Sequence, residues 1–224
     1  MCGRFTLTAS AAELQQAFPG FTFPTQIAPR YNIAPTQPIL VIANDGSQRA
    51  DFFLWGLVPS WTKDPTIGQR LINARAETLA SKPSFRGPFK YKRCLILADG
   101  FYEWQTLPER KGKVPHFIFL KSRRPFAFAG LWDEWHAPDG SLIRSATIIT
   151  TAANELLARL HDRMPVILPP DAYAQWLDPA PQTPERLLPF LRPFPADEMS
   201  AYPVSTQVNN PENDHPALIQ PVGA

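Results

Sequence analysis

The chain has 224 residues, of which 44% are hydrophobic, 12% aromatic and 19% charged, so it has enough apolar material for a folded core and is not a disordered tail. The net charge is only +2, but residues 1–124 carry 17 Lys and Arg against 8 Asp and Glu, and residues 125–224 carry 5 against 12. Such asymmetry suits a face that binds a polyanion; alternatively, the two halves interleave in space and their charges cancel.

Cysteine content and hydropathy bear on the location of the protein. No apolar run approaches the roughly 20 residues of a membrane span, and the polar residues Glu13, Gln15 and Gln16 are unlike a signal peptide. Two cysteines without a signal favour a reducing, cytoplasmic setting, near the nucleoid in a bacterium. His116 and His136 lack metal-ligand spacing with acids or cysteines. We expect no metal, no cofactor, no membrane contact and no obligate protein partner.

The 26 scattered prolines predict short helices and many loops. Ser10 and Glu13 have capping-box spacing, which predicts a helix over about residues 10–18. Apolar segments at 38–43 and 51–58 flank Asn44-Asp45-Gly46 and predict a hairpin.

Strand-like segments separated by turn residues continue along the chain. The predicted strands are 94–98, 100–104, 116–120, 126–131, 142–150 and 165–168, with 203–205 closing the sheet; helical segments are expected at 76–81, 153–159, 170–177 and 184–191. Together these elements predict an α+β fold in one domain over residues 1–224. Its frame would be a curved, mostly antiparallel β-sheet or partial barrel with short peripheral helices.

The chain opens Met1-Cys2-Gly3-Arg4-Phe5. Cysteine is small enough that Met1 should be removed, which would leave Cys2 with an α-amine and a thiol on adjacent carbons. Their reference pKa values are about 8 and 8.5, so both are partly deprotonated near neutral pH. The amine can condense with an aldehyde, and the thiol can then close a five-membered thiazolidine. On its own, a cysteine at position 2 is more often an accident of composition.

Five further motifs follow this opening, and the whole pattern resembles the SRAP family, the SOS-response-associated peptidases that process abasic sites. The resemblance runs from residue 1 to about residue 221. The motifs are Tyr31-Asn32-Ile33-Ala34-Pro35, Trp55-Gly56-Leu57-Val58-Pro59, Asn73-Ala74-Arg75-Ala76-Glu77-Thr78, Ala98-Asp99-Gly100-Phe101-Tyr102-Glu103-Trp104 and His161-Asp162-Arg163-Met164-Pro165.

The resemblance implies a single SRAP domain that binds single-stranded DNA containing abasic sites and crosslinks to them through Cys2. Its catalytic positions fall on Cys2, Asn73, Glu103 and His161. Apolar neighbours would raise the pKa of Glu103, although a solvated strand carboxylate is an alternative. His161 would help the sugar ring to open, or else caps the preceding helix. Asn73 would hold the terminus or the sugar, or is only a turn residue.

Candidate DNA contacts lie in and between these motifs. Arg4 and Arg75 are candidate phosphate ligands, and Trp61 and Trp104 are candidates for stacking on bases. Segment 82–93 has five cations, three aromatic residues and no acid. Two of its cations, Arg86 and Lys90, are the remaining candidate DNA contacts. It predicts a track for the DNA backbone, or an exposed basic loop with buried aromatic residues.

Three other functions remain open from the residues. An amidotransferase-type hydrolase would use the thiol of Cys2 with the α-amine as base. A thiol peptidase would pair Cys2 with His161, and its activity would either be limited to removal of its own Met1 or include the cleavage of other peptides. A non-catalytic module that binds single strands would need only the basic segment. Cys94, inside an apolar run, is expected to be a buried structural thiol.

Overall fold

The computed structural model describes residues 2–107 and 112–222. The strands of this part are β1 (Phe5–Leu7), β2 (Arg30–Ile33), β3 (Pro38–Ala43), β4 (Ala50–Trp55), β5 (Asn73–Arg75), β6 (Arg93–Ala98), β7 (Gly100–Thr106), β8 (Lys113–Leu120), β9 (Phe126–His136), β10 (Leu142–Ala152), β11 (Arg163–Pro165), β12 (Ile167–Leu168) and β13 (Met199–Pro203). The α-helices are α1 (Ala11–Ala17), α2 (Pro83–Tyr91), α3 (Tyr173–Trp176) and α4 (Pro184–Leu187). Short 3₁₀ segments connect them. No helix within these ranges is long and apolar enough to cross a membrane.

Five strands close into a barrel. The pairs β4–β3, β3–β6, β6–β9 and β9–β10 are antiparallel, and the parallel pair β10–β4 completes the ring. The strands of this barrel bury most of their side chains, and their sequences are therefore long apolar runs. The α+β prediction with a curved, mostly antiparallel sheet is confirmed, and the sheet is closed. Three adjacent strands of the ring come from residues 1–124 and two adjacent strands from residues 125–224, so both halves of the sequence build one barrel and the charge asymmetry does not define two separate lobes.

A second sheet has the order β13–β8–β7–β1–β2 and lies beside the barrel. Its inner face contributes Phe5 and Phe101, whose rings lie 5.8 and 5.9 Å from that of Phe128 on β9. Its outer face carries a smaller apolar cluster that the C-terminal segment covers with Val204, Val208 and Leu218. The second sheet is therefore buried on both faces.

The predicted helix and hairpin at the start of the chain are confirmed. Ser10 and Glu13 form the capping box of α1, with the Ser10 amide donating to the Glu13 carboxylate at 2.8 Å. Strands β3 and β4 pair in antiparallel register from Pro38↔Leu54 to Ile42↔Ala50. The predicted turns and helices at 76–81, 170–177 and 184–191 also appear as short helical segments.

Three local predictions need correction. The strand predicted at 165–168 is two strands, because Val166 donates to β10 and accepts from β9, so the chain changes partner there. The strand predicted at 203–205 is β13, which ends at Pro203 on a sheet edge and closes no sheet. Only Leu157–Arg159 is helical within 153–159, where the Asn154 side chain caps the Leu157 amide.

The basic segment 82–93 is mostly the helix α2, which differs from the expected loop. Pro83 occupies the first helical turn, where a missing amide proton costs nothing. Phe85 and Phe89, four residues apart, are buried, while Arg86 and Lys90 are exposed. Gly87-Pro88 inside the segment hid the helical pattern from the sequence.

Arg93, counted above among the exposed cations, lies fully buried at the start of β6. Its guanidinium donates to five main-chain carbonyls, which join the end of α2 to the chain after α3. These carbonyls belong to Phe89, Lys90, Trp176, Asp178 and Ala180. Burial lowers the pKa of Arg93 to about 10, and the nearby Asp178 charge opposes that shift.

Replacement of Arg93 by methionine should lower the free energy of unfolding by about 3 kcal/mol or more, because buried carbonyls lose charged donors. Urea denaturation followed by circular dichroism measures the change. Arg86→Met, on the exposed face of α2, is the matched control and should change stability by less than about 0.5 kcal/mol. Equal stability of the two variants would contradict this account of Arg93.

Candidate active site

The first described residues are held inside the second sheet. β1 lies between β2 and β7, and the Tyr102 amide donates to the Arg4 carbonyl at 3.0 Å. The Phe5 ring packs 5.0 Å from that of Trp55 in the core. Cys2 is therefore fixed in position, with 1% of its surface exposed.

Glu103 lies beside Cys2 because of strand register. Phe5 pairs with Phe101, so continuing the antiparallel register brings Gly3 opposite Glu103 on β7. Only 3% of Glu103 is exposed, which rules out the solvated strand carboxylate considered from the sequence. Burial raises the pKa of Glu103, and the nearby charges of His161 and Lys113 partly oppose that shift.

Asn73 joins Cys2 to the barrel. It is not a turn residue but the first residue of β5, paired in parallel with Ile148 on β10. Its amide nitrogen donates to the Cys2 carbonyl at 2.8 Å. Its amide oxygen is buried and has no hydrogen-bond partner in the described part of the chain. This oxygen can accept a hydrogen bond from an α-amine or a sugar hydroxyl.

His161 reaches the same region from the turn before β11. The Gln105 side chain on β7 donates to the Arg159 carbonyl at 3.1 Å and thereby ties this turn to the strand of Glu103. The Arg163 amide donates to Nδ1 of His161 at 3.0 Å, while a carboxylate oxygen of Asp162 lies 2.8 Å from the same nitrogen. These two contacts on Nδ1 orient the imidazole ring of His161.

The thiol of Cys2 is electrostatically poised toward its neutral form. Burial raises its pKa, and the negative charge of Glu103 raises it further. The thiol also donates a weak hydrogen bond, 3.8 Å long, from Sγ to the Arg4 carbonyl. The second cysteine, Cys94, is buried as predicted, and burial raises its pKa as well.

The sequence did not point to three further residues next to the site, Arg163, Glu77 and His116. Arg163 forms a two-pronged ion pair with Glu77 at 2.6 and 3.0 Å and also donates to the Thr150 carbonyl. Arg163 and Glu77 both lie inside the motifs quoted above, and that position is the sequence signal that could have identified them. His116 pairs with Glu103 across β7 and β8, so the two side chains share a face. Only the strand register reveals that placement.

The candidate DNA contacts fall in separate places. Arg75 is exposed and lines a pocket of 320 Å³ together with Asn73 and Lys82. Arg4 donates to Asn32 and to the Val208 and Asn209 carbonyls, so it anchors the C-terminal segment. Its role as a phosphate ligand stays a prediction.

Two of the candidate aromatic residues differ in their surroundings. Trp104 is half-buried, and its indole donates to the Asn209 side chain at 2.7 Å. Trp61 is 60% exposed and lines a second cleft together with Arg86, and Lys90 is exposed nearby on α2. The six candidates therefore do not form one cluster. Within residues 2–107 and 112–222, no group of three His, Cys, Asp or Glu could hold a metal ion.

A closed barrel flanked by a sheet that fixes Cys2 beside Asn73, Glu103 and His161 is the arrangement expected of the SRAP family. The model of that family, SOS response associated peptidase, matches residues 1–211, and the chain belongs to it. The chain is 49% identical to abasic site processing protein YoqW of Bacillus subtilis, over 98% of this chain and 99% of that protein. It is 35% identical to abasic site processing protein HMCES of Gallus gallus, over 99% of this chain and 78% of that protein.

Solved structures show the same fold. A crystal structure of a protein from Bacteroides thetaiotaomicron superposes with a TM-score of 0.88 at 27% identity, and the match covers 99% of this chain and 100% of that one. A protein from Bordetella bronchiseptica gives a TM-score of 0.78 at 25% identity, over 91% of this chain and 100% of that one.

The raised pKa of Glu103 predicts how stability varies with pH. The folded protein binds this proton more tightly than the unfolded chain, so stability should fall as pH rises from the unfolded pKa through the folded one. Glu103→Gln should remove that decline. Urea denaturation from about pH 4 to about pH 8 measures it. Exposed Glu155→Gln is the control and should behave like the wild type; an identical pH profile for Glu103→Gln would contradict the prediction.

Proposed function

We propose that the chain, as one SRAP domain over residues 1–224, processes abasic sites by forming a covalent crosslink to single-stranded DNA through Cys2. The observation that carries this proposal is the fixed position of Cys2 beside Asn73, Glu103 and His161. The relatives YoqW and HMCES carry the name abasic site processing protein, which supports the same substrate.

Removal of Met1, by this protein or by an aminopeptidase, is the first step of the proposed reaction; Met1 lies outside the described residues. The released α-amine attacks the aldehyde carbon of the open sugar, and water leaves to give an imine. The thiol then adds across the C=N bond, with sulfur bonding to carbon and the proton passing to nitrogen. The product is a thiazolidine, and no oxidant, metal or cofactor takes part in this balance.

Proton transfers in these steps are assigned to Glu103 and His161. Burial raises the pKa of Glu103, so its carboxyl group is suited to exchanging a proton with the carbinolamine as the hydroxyl leaves. The imidazole of His161 is assigned the proton exchange that opens the closed sugar to the aldehyde. The free amide oxygen of Asn73 would orient the α-amine or a sugar hydroxyl.

The site gives less support to the two alternative functions as a hydrolase, a thiol peptidase or an amidotransferase-type glutaminase. A thiol peptidase or glutaminase attacks through a thiolate, which requires a lowered pKa at the nucleophile. Burial and the Glu103 charge instead raise the pKa of Cys2. Addition of a neutral thiol to an imine needs no net loss of a proton, so crosslinking suits this environment better.

DNA affinity is proposed to come mainly from exposed cations and aromatic residues around the site. Arg75 lines the pocket that also contains Asn73, and this places a positive charge next to the proposed sugar position. Trp61, Trp104, Arg4, Arg86 and Lys90 would add contacts farther along the strand. A protein that acts on chromosomal DNA in this way would work in the cytoplasm, at the nucleoid of a bacterium.

Crosslinking can be tested on a denaturing gel with single-stranded DNA that carries a natural abasic site. The mature wild type should give a heat-stable shifted band, and Cys2→Ala should give none while binding the strand almost as well. Cys94→Ala is the matched cysteine control and should crosslink normally. DNA whose abasic sugar has been reduced should not react. Absence of a band, with loss of Met1 verified by mass spectrometry, would overturn the proposal in favour of the hydrolase or binding-module readings.

Arg75→Ala should weaken binding of single-stranded DNA and lower the slope of log affinity against log salt by about 1, because one phosphate contact is lost. Fluorescence anisotropy at several salt concentrations measures both quantities. Arg49→Ala removes an exposed arginine on the β3–β4 loop and is the control. An unchanged salt slope for Arg75→Ala would remove this residue from the DNA-binding surface.

A further inference from the structure

A cleft of 540 Å³ lies between the loop after β4 and one side of α2. Two aromatic residues line it, Trp61 from the loop and Tyr91 from the last turn of the helix. They are 60% and 50% exposed, respectively. Two large aromatic side chains left in water around one concave surface are typical of a site that binds a ligand.

Trp61 differs from the other five tryptophans. The indole nitrogens of those five each donate to an acceptor in the protein, namely at Ile72, Asn209, Asn44, Thr62 and Cys94. The indole of Trp61 has no hydrogen-bond partner among the described residues. Its ring is therefore neither packed into the core nor used to fasten a loop.

Hydrogen bonds on either side of Trp61 nevertheless hold its backbone in place. The amide of Ser60 donates to Asp133 on β9 at 2.8 Å. On the other side, the carbonyl of Thr62 accepts the indole proton of Trp135, also on β9, at 2.8 Å. Both neighbours of Trp61 are thus anchored to one barrel strand, so the backbone that carries the exposed ring is already ordered and only the side-chain torsions have freedom to lose on binding.

The cleft has a positive charge, because its acidic lining residue is paired with a lysine and an arginine remains. Asp133 is neutralised by Lys92, whose ammonium lies 2.7 Å from its carboxylate. Arg86 lines the cleft, and the ammonium of Lys90 lies 5.1 Å from the centre of the Tyr91 ring. Aromatic walls with adjacent cations fit a nucleobase that stacks and a phosphate that pairs with the guanidinium.

The cleft is joined to the Cys2 region through the first turn of α2. Lys82 and Ser84 line the pocket that contains Asn73, whereas Pro83 and Arg86 line the cleft. Ser84 and Tyr91 are about 10 Å apart along the helix axis. A strand that passes over the start of α2 can therefore reach both places.

We propose that the Trp61–Tyr91 cleft holds an unpaired nucleobase on one side of the abasic site, with its phosphate on Arg86. This assignment rests on the proposed function. A base that enters the cleft must leave its stack, so the DNA on that side must be single-stranded. The cleft accordingly makes the protein select for a minimum length of unpaired strand beyond the lesion.

Binding of strands with a stable abasic analogue, which cannot react, tests the proposal. Two series extend the strand from about two to about ten nucleotides on either the 5′ or the 3′ side. In one series, wild-type affinity should rise at the length that reaches the cleft. Tyr91→Ala should lose about fivefold or more of the affinity for the longer strands only, and Tyr91→Phe should retain it.

Phe52→Ala, which removes a 46% exposed aromatic residue from β4, is the matched control and should match the wild type at every length. Equal affinity of Tyr91→Ala and wild type for all strands, or an equal loss at all lengths, would overturn the base-binding assignment. Crosslinking of natural abasic DNA by the wild type, run in parallel, separates the two proposals. A normal crosslink with no length-dependent loss rejects only the cleft, whereas no crosslink rejects the proposed function.

Discussion

The position of Cys2 depends on one constraint, the insertion of β1 into the middle of a sheet. Chain ends usually fray, yet here β1 has a strand on either side and Phe5 is fully buried. Asp99, in the turn before β7, accepts from Thr6, from Thr8 and from the Ala9 amide, so it clamps the chain where β1 ends. Cys2, the residue proposed to react, lies only three residues before Phe5, so the anchoring of β1 also limits the conformational freedom of Cys2.

The two sheets contribute different parts of the site. The second sheet supplies Cys2 and Glu103 through the pairing of β1 with β7. Asn73 and His161 come instead from β5 and from the turn before β11, the two short strands that pair with barrel strand β10 on either side. The contacts between the sheets, from Asn73 to Cys2 and from Gln105 to the turn before His161, therefore position the site as well as joining the fold. A shift of one sheet against the other would separate the residues proposed to react from those proposed to move protons.

Local signals in the sequence were sufficient for elements with strong patterns, such as the capping box of α1 and the β3–β4 hairpin. They failed where long-range contacts decide. Arg93 looks like part of a basic surface, and only the carbonyls of the chain after α3 explain its burial. The closure of the barrel by the parallel pair β10–β4 joins strands far apart in sequence. The four proposed catalytic residues were found through motifs, but the proximity of His116 to Glu103 follows from strand register alone.

Under the proposed function, the environment of the site favours addition to an imine over hydrolysis. Burial raises the pKa of both Cys2 and Glu103, so each group holds its proton more tightly than it would in water. Addition of the thiol to the imine passes the sulfur proton to nitrogen, so no proton is lost overall, whereas hydrolysis through a thioester requires the thiolate. In the proposed mechanism, burial of Cys2 thus makes its thiol a poor hydrolytic nucleophile and leaves addition to the imine as the reaction that the site favours.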